Sequence, residues 1–102
     1  MQTGQEKLTV VKKEMGITHH DIYAELPTLL DEIPYQKAGK TIVFEVDGKR
    51  IEIVLGPEEV RQLGQSMRLP ITLVTLRFFD SSAKEISDFV RHFNLRFMKG
   101  GG

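Results

Sequence analysis

The dipeptide Asp47-Gly48 lies between two runs of alternating apolar and polar residues, and it constrains the fold more than any other feature. An Asp-Gly pair favours a type I′ turn, which joins two antiparallel strands through a two-residue loop. A loop of this length fixes the register of the strands, so we predict that Glu45 faces Arg50 and that Phe44 faces Ile51. One side of the hairpin is then apolar and carries Ile42, Phe44, Val46, Ile51, Ile53 and Leu55.

Two segments have the apolar spacing of amphipathic helices. The first begins after Thr18, which is a good N-cap residue with Asp21 three positions on, and it ends before Pro34. Because proline removes a backbone donor, we expect this helix to be kinked at Pro27 or to restart there. The second helix opens with the capping-box pattern S-x-x-E, and its apolar stripe consists of Ile86, Phe89, Val90, Phe93 and Phe97.

Two more strands and a short helix complete the predicted order. Leu8 to Lys12 alternates in part, and Ile71 to Phe79 alternates clearly, so both segments are predicted strands. The segment Gly56-Pro57-Glu58-Glu59 predicts a helix start, because proline suits the first helical position and acids suit the positive end of the helix dipole. Val60 and Leu63 would then face inward.

These elements predict an α+β fold with an antiparallel or mixed sheet of three to four strands and helices packed on one face. The predicted order is (β)-α-β-β-α-β-α, in which the first strand is optional. With that strand, the order matches a ferredoxin-like arrangement with an extra C-terminal helix. Without it, a three-stranded sheet is backed by helices. We expect a single domain over residues 7–98, with a flexible N-terminus at residues 1–6 and a flexible glycine-rich end at residues 99–102.

Charge and cysteine content exclude several classes of protein. Lys plus Arg and Asp plus Glu are 14 each, so a formal net charge of zero gives no overall field that attracts nucleic acid or anionic membranes. The absence of cysteine excludes disulfides, thiolate zinc sites and cysteine catalysis. The first residues resemble no signal peptide, and no apolar run reaches the roughly 20 residues that span a bilayer. We therefore expect a cytoplasmic protein without a membrane partner.

His19, His20 and Asp21 at the start of the first helix, together with His92, are candidate metal ligands. Imidazole and carboxylate groups suit borderline cations. However, neighbouring helical residues point about 100° apart, and the positive end of a helix disfavours a cation. A small metal-dependent or histidine-using enzyme is therefore an alternative function.

Asp88 and His92 have the i, i+4 spacing with which a carboxylate can orient an imidazole, as in half of a catalytic triad. No G-x-S-x-G segment supplies a nucleophile, and no glycine has the spacing of a phosphate-binding loop. We therefore predict no catalytic residue and no cofactor.

Arg91, Arg96 and Lys99 alternate with Phe93 and Phe97 in the last helix, and such a mixture can bind single-stranded nucleic acid by charge and stacking. The two phenylalanines also belong to the apolar stripe of that helix, which favours core packing. A weak nucleic-acid binder is therefore a second alternative.

The terminal Gly101-Gly102 resembles the diglycine end of ubiquitin-like carriers, whose tail has no side chains and enters a narrow enzyme site. The resemblance covers only these last residues. Here the pair follows a predicted helix rather than the last strand of a β-grasp sheet, so a flexible end is the simpler interpretation.

The leading hypothesis is a small non-enzymatic module that binds a protein partner or itself. Val43, Val54, Ile71 and Leu73 are apolar residues on the predicted sheet face that points away from the core. An edge strand also offers unpaired backbone groups to another chain. A net charge near zero weakens repulsion between copies, which favours a homodimer.

Overall fold

The computed structural model describes residues 7–98, which form five strands and two helices. The elements are β1 (Leu8–Met15), α1 (His19–Leu30), β2 (Tyr35–Ala38), β3 (Thr41–Val46), β4 (Lys49–Leu63), β5 (Met67–Phe79) and α2 (Ala83–Met98). The strands make one antiparallel sheet in the order β1-β5-β4-β3-β2. Neither helix is long and apolar enough to cross a membrane. The ends predicted to be flexible, residues 1–6 and 99–102, lie outside the described residues.

The predicted fold class is wrong in strand number and in element order. The sheet has five strands rather than three to four, and the order β-α-β-β-β-β-α is not ferredoxin-like. Residues 57–63, predicted to form a short helix, instead continue β4 and pair with β5. Such a short helix is marginal by itself, whereas the paired strand satisfies its backbone groups against β5. Val60 and Leu63 are accordingly 64% and 42% exposed instead of facing inward.

The strand β2 is the second element that the sequence patterns do not predict. It forms a hairpin with β3 in which Ala38 faces Thr41, and Gly39 adopts the positive φ of 63° in the turn between them. Tyr35 is half-buried and the other residues of β2 are exposed. A short, polar edge strand of this kind carries no apolar alternation that would mark it.

The hairpin of β3 and β4 confirms the predicted register. Glu45 faces Arg50 and Phe44 faces Ile51, and both turn residues have positive φ, 54° at Asp47 and 75° at Gly48. These angles are those of a type I′ turn. The local turn chemistry and the apolar alternation therefore agree in this part of the sheet.

Both helices pack their apolar side chains against one face of the sheet. The predicted caps are confirmed: Thr18 accepts a hydrogen bond from the backbone N–H of Asp21, and Ser82 and Glu85 exchange the two bonds of a capping box. The core consists of helical residues and of the inward residues of β3, β4 and β5, namely Ile22, Leu26, Leu29, Leu30, Ile42, Phe44, Ile51, Ile53, Leu55, Val74, Leu76, Phe78 and Phe93.

The opposite side of the sheet, called the open face here, points away from the helices. Facing pairs of residues share a side, so the register assigns the residues of each strand to this face. They are Leu8, Val10, Lys12 and Glu14 of β1, Thr41, Val43 and Glu45 of β3, Arg50, Glu52 and Val54 of β4, and Leu73, Thr75, Arg77 and Phe79 of β5.

The hairpin of β4 and β5 extends beyond the rest of the sheet as an arm, residues 56–71. The strand β3 ends opposite Val54, and β1 ends opposite Thr72, so the pairs beyond these points are made by β4 and β5 alone. This projection makes the molecule long and narrow, with extents of 60 × 26 × 25 Å.

A β-bulge lies at the base of the arm, between Leu55 and Glu58. One extra residue on β4 opposes β5 there, so the side chains of β4 exchange faces across the bulge. Before the bulge, Glu52 and Val54 lie on the open face. Beyond it, the open side of the arm carries Glu59, Arg61 and Leu63 of β4, paired with Ile71, Leu69 and Met67 of β5.

The residue before β1 and the residue after β5 are tied together by two hydrogen bonds. The backbone N–H of Lys7 donates to the carboxylate of Asp80, and the N–H of Asp80 donates to the carbonyl of Lys7, each over 2.8 Å. Asp80 has a φ of 63°, in the left-handed region that aspartate tolerates better than most residues. This pair of bonds closes the end of the ladder between β1 and β5.

Gly56 lies in the bulge, and a side chain at this position would require the neighbouring strand β5 to shift. A Cβ at this position would lie 2.9 Å from the carbonyl oxygen of Leu73 and 3.3 Å from its Cβ. We expect Gly56→Ala to lower the free energy of unfolding by about 1–3 kcal/mol, because the overlap forces the two strands apart. Urea denaturation followed by circular dichroism measures this change.

The matched control is Gly16→Ala, whose Cβ would lie 3.7 Å from the nearest atom, the carbonyl oxygen of Pro70. This variant should stay within about 0.5 kcal/mol of the natural chain. Equal stabilities of the two variants would contradict the close approach of β4 and β5 at the bulge.

Candidate functional site

The base of the arm is held to α1 by side chains at the start of that helix. His19 Nε2 lies 2.7 Å from the carbonyl oxygen of Gly56, and the backbone N–H of His19 donates to Glu58 Oε1 over 2.8 Å. A carbonyl oxygen can only accept, so Nε2 of His19 carries a proton. Thr72 adds a third tie by donating its hydroxyl to the carbonyl of Ile17 over 2.7 Å.

An ion pair fixes the arm to β1 on the open side. Arg61 Nη2 lies 2.9 Å from Glu14 Oε2, and both side chains are about half exposed, at 51% and 53%. An exposed pair of this kind contributes little stability, typically about 0.2–1 kcal/mol. It does orient Arg61, which reaches across β5 from the outer strand of the arm.

The open side of the arm, together with the adjoining residue Leu73, carries a row of exposed apolar residues, called the apolar strip here. Leu63, Met67, Leu69 and Leu73 are 42%, 57%, 38% and 44% exposed, and the half-buried Ile71 lies between the last two. Single exposed apolar residues are ordinary, but a continuous row is typical of a contact surface.

The open face at the other end of the sheet has a different character. Phe79 lies there but is only 8% exposed, because the guanidinium of Arg50 stacks on its ring at 4.0 Å and that of Arg77 lies at 5.6 Å. Glu52 contacts both guanidinium groups, at 3.4 and 3.3 Å. Charged groups therefore cover the aromatic ring, and the exposed apolar side chains of the open face at this end are Leu8 and Val10 of β1, which are 45% and 44% exposed.

The four residues predicted to bind a partner all lie on the side of the sheet away from the helices, but they divide into two groups. Ile71 and Leu73 belong to the apolar strip. Val43 faces Glu52 within the charged end, and Val54 lies between Thr41 and Thr75. Both valines are half-buried. The structure therefore associates only Ile71 and Leu73 with the exposed apolar row.

The predicted metal ligands lie at separate places. His19 contacts Gly56 at the base of the arm, whereas His92 Nε2 lies 2.8 Å from the carbonyl oxygen of Leu29 at the other end of α1. His20 and Asp21 are exposed at the helix start. Within residues 7–98, no three such groups come together around a common point.

The carboxylate and imidazole of the predicted Asp88–His92 pair have other partners. Asp88 accepts from Lys84 over 2.8 Å, and this bond lowers the pKa of Asp88. His92 donates to Leu29 and thereby joins α2 to α1. Asp88 thus contacts Lys84, and His92 contacts the backbone of α1.

The residues predicted to bind nucleic acid are spread along α2. Arg91 is exposed, while Arg96 is partly enclosed with its Nε 3.9 Å from Glu25. Lys99 lies outside the described residues. Phe93 is fully buried, and its ring packs 4.6 Å from that of Phe97, so the aromatic rings serve the core as the apolar stripe indicated.

A cavity of about 230 Å³ opens between the β3–β4 turn and α2. Glu85 lines it, accepts from Lys49 over 2.9 Å, and accepts the backbone N–H of Ser82 over 2.7 Å. The bond from Ser82, followed by the contact with Lys49, lowers the pKa of Glu85. The carboxylate is thus held ionised as a cap of α2, and it is engaged with groups of its own chain.

Sequence reasoning missed Leu63, Met67 and Leu69 as surface residues because it placed a helix over the first half of the arm. A signal for the strand is present. Met67, Leu69 and Ile71 alternate with polar residues or proline, and Gly64-Gln65-Ser66 before them is a turn-forming segment. Gly64 does adopt a positive φ of 72° at the tip of the arm.

No protein-family model, no curated protein and no solved structure matches this chain. Half of the exposed large apolar residues of the described chain, Leu63, Met67, Leu69 and Leu73, lie together in the apolar strip.

The bond from His19 to Gly56 provides a test of how the arm is held. We expect His19→Ala to lower the free energy of unfolding by about 1 kcal/mol, because the half-buried carbonyl of Gly56 loses its donor. Backbone amides around Gly56 should exchange faster in hydrogen-exchange mass spectrometry. The neighbouring His20→Ala removes an exposed side chain and should match the natural chain in both measurements. Identical behaviour of the two variants would show that His19 does not anchor the arm.

The capping carboxylate of Glu85 predicts a pH dependence of stability. Its pKa is lower in the folded chain, so the unfolded chain binds more protons as the pH falls below the ordinary value of 4.5. The contribution of Glu85 is complete above that value and disappears as the pH drops through the folded pKa. The free energy of unfolding, measured by urea denaturation between neutral and acidic pH, should therefore change less with pH for Glu85→Gln than for the natural chain. Asp88 is present in both proteins, so an equal pH dependence of their free energies of unfolding would contradict the role of Glu85.

Proposed function

We propose that this chain is a non-enzymatic protein-interaction module, and that the arm is the element with which it contacts other proteins. The observation that supports this proposal is the apolar strip, which five consecutive outward residues of the hairpin form on one side. A strip of this kind gains free energy when a second protein surface removes it from water.

The gain amounts to several kcal/mol. Covering the exposed half of a leucine or methionine side chain contributes about 1 kcal/mol. Leu63, Met67, Leu69 and Leu73 are each about half exposed, so the strip supplies several such increments. A strand pair also presents its side chains without much loss of freedom on binding, which lowers the entropic cost.

The way in which the arm is attached supports the same function. The bonds from His19 and Thr72, together with the ion pair of Arg61 with Glu14, connect the arm to α1 and β1. These ties hold the arm at a defined angle to the sheet. Because the arm projects and is held in place, its orientation relative to the sheet is fixed before a partner binds.

The alternative functions have less support. His19 and His92 donate to backbone carbonyls, and Arg96 lies against Glu25, so these candidate residues have contacts within the chain. We also propose a cytoplasmic location, because a chain without cysteine suits a reducing compartment.

The test compares two variants of the arm that carry the same new charge on opposite sides. Leu69→Lys places a lysine within the apolar strip, whereas Gln62→Lys places one on the side toward the helices. Proteins captured from the source organism by the tagged natural chain are identified and purified, and their affinity for the three chains is measured by calorimetry. We expect Leu69→Lys to weaken binding at least about tenfold, and Gln62→Lys to retain it, because only the first charge is buried on binding.

Both substitutions are at exposed positions, so the urea midpoints of the two variants should equal that of the natural chain. Equal affinities of the purified partner for all three chains would contradict the proposal. A natural chain that binds neither another protein nor itself would contradict it as well.

A further inference from the structure

The outer edge of β4 is unpaired along the arm. The N–H of Leu55 donates to the carbonyl of Lys40, and the described structure places no strand beside residues 57–63 on that edge. A free strand edge presents backbone donors and acceptors that can pair with another strand. The arm therefore has a contact surface besides its apolar strip.

The outer edge of β5 is less suited to pairing because Pro70 lies in its centre. Proline has no N–H, and in a sheet it is found where its nitrogen points to an outer edge. Pro70 faces Val60. Since Pro70 cannot donate to Val60, this pair is of the non-hydrogen-bonded kind, and the N–H and C=O of Val60 point toward the free edge of β4.

Symmetry limits the ways in which two copies can pair through β4. When a two-fold axis relates two directly facing antiparallel strands, one residue lies opposite its own copy. If Glu59 or Arg61 is that residue, like charges face each other, which destabilises the pair. If Val60 is that residue, Glu59 of each copy faces Arg61 of the other, and Glu58 faces Gln62.

The register centred on Val60 also continues the surfaces described above. Val60 is 64% exposed, and its two copies would cover each other between the two Pro70 rings. On the open side, each Glu59–Arg61 pair would lie between Ile71 of one copy and Leu69 of the other. Arg61 would exchange its exposed ion pair with Glu14, which contributes little stability, for the contact with Glu59 of the second copy.

We propose that two copies of this chain pair antiparallel through the free edge of β4, with Val60 opposite Val60 of the second copy. Charge complementarity indicates a second copy as the partner, because in this register each Glu59 faces an Arg61 when residues 58–62 pair antiparallel with the same segment of the other copy. The proposal rests on the proposed function in using the arm as the contact element. It deepens that function by joining two apolar strips into one four-stranded surface.

Complementary charge variants test the pairing. In Glu59→Arg both facing pairs of positions 59 and 61 are positive, and in Arg61→Glu both are negative. We expect each variant alone to dissociate at least about tenfold more readily than the natural dimer in sedimentation velocity. An equimolar mixture of the two variants should form a one-to-one dimer, because each arginine then faces a glutamate. Restoration by mixing cannot arise from altered folding of either chain.

Cross-linking tests the register. The chain has no cysteine, so Val60→Cys introduces one thiol. In a hydrogen-bonded antiparallel pair the facing Cα atoms lie about 5.5 Å apart, within the roughly 4.4–6.8 Å that a disulfide spans. Oxidation should therefore give a covalent dimer. The control Gln62→Cys places the two thiols on Cα atoms roughly 14 Å apart in this register and should remain uncross-linked.

Two results would overturn the inference while leaving the proposed function intact. The first is a natural chain that stays monomeric at all concentrations, although a different protein binds to the apolar strip. The second is a dimer in which the charge variants associate normally, or in which position 62 cross-links and position 60 does not. Unchanged partner binding by Leu69→Lys, in contrast, would contradict the proposed function and leave a Val60-centred dimer as an independent finding.

Discussion

The backbone ladder between β4 and β5 is the interaction on which the rest of the structure depends. These two strands, of 15 and 13 residues, lie at the centre of the sheet, and β1 and β3 pair on their outer sides. Both helices pack on one face of these strands, and the parts of β4 and β5 that extend beyond their neighbours form the arm. The ladder satisfies the backbone groups of a segment whose side chains are mostly exposed, so pairing rather than burial stabilises the arm.

The bulge next to Gly56 divides this ladder into two parts with different roles. Below the bulge, the even-numbered residues of β4 face away from the helices and form a charged network over Phe79. Beyond it, the odd-numbered residues take that side, which brings Leu63 next to Met67. If β4 continued without a bulge, Leu63 would lie on the opposite side from its apolar neighbours, and Val60 would exchange sides as well. The bulge thus adds Leu63 to the side on which the regular alternation of β5 places Met67, Leu69 and Ile71.

Local patterns in the sequence were sufficient for the elements whose preferences agree with their tertiary contacts. The β3–β4 register, the caps at Thr18 and Ser82, and the inward face of β5 follow from turn chemistry and alternation alone. The segment after Gly56 was mispredicted because its local preference for a helix start is overridden by pairing with residues 67–72, which no local window contains. For the surface, Ile71 and Leu73 were predicted to lie away from the core, whereas the rest of the apolar strip depends on the hairpin that was missed.

The pairing of β1 with β5, closed by the two hydrogen bonds between Lys7 and Asp80, has a consequence for the order of folding. The three hairpins that join β2, β3, β4 and β5 close loops of a few residues, whereas the ladder of β1 and β5 joins the first and last strands of the described sheet, which are far apart in the sequence. Closing so long a loop costs more conformational entropy before any contact offsets it, and distant pairings slow folding. The meander from β2 to β5 is therefore favoured to form early, with β1 added to its edge afterwards. Of the five strands of this sheet, the one that is synthesised first is in this order the last to be paired.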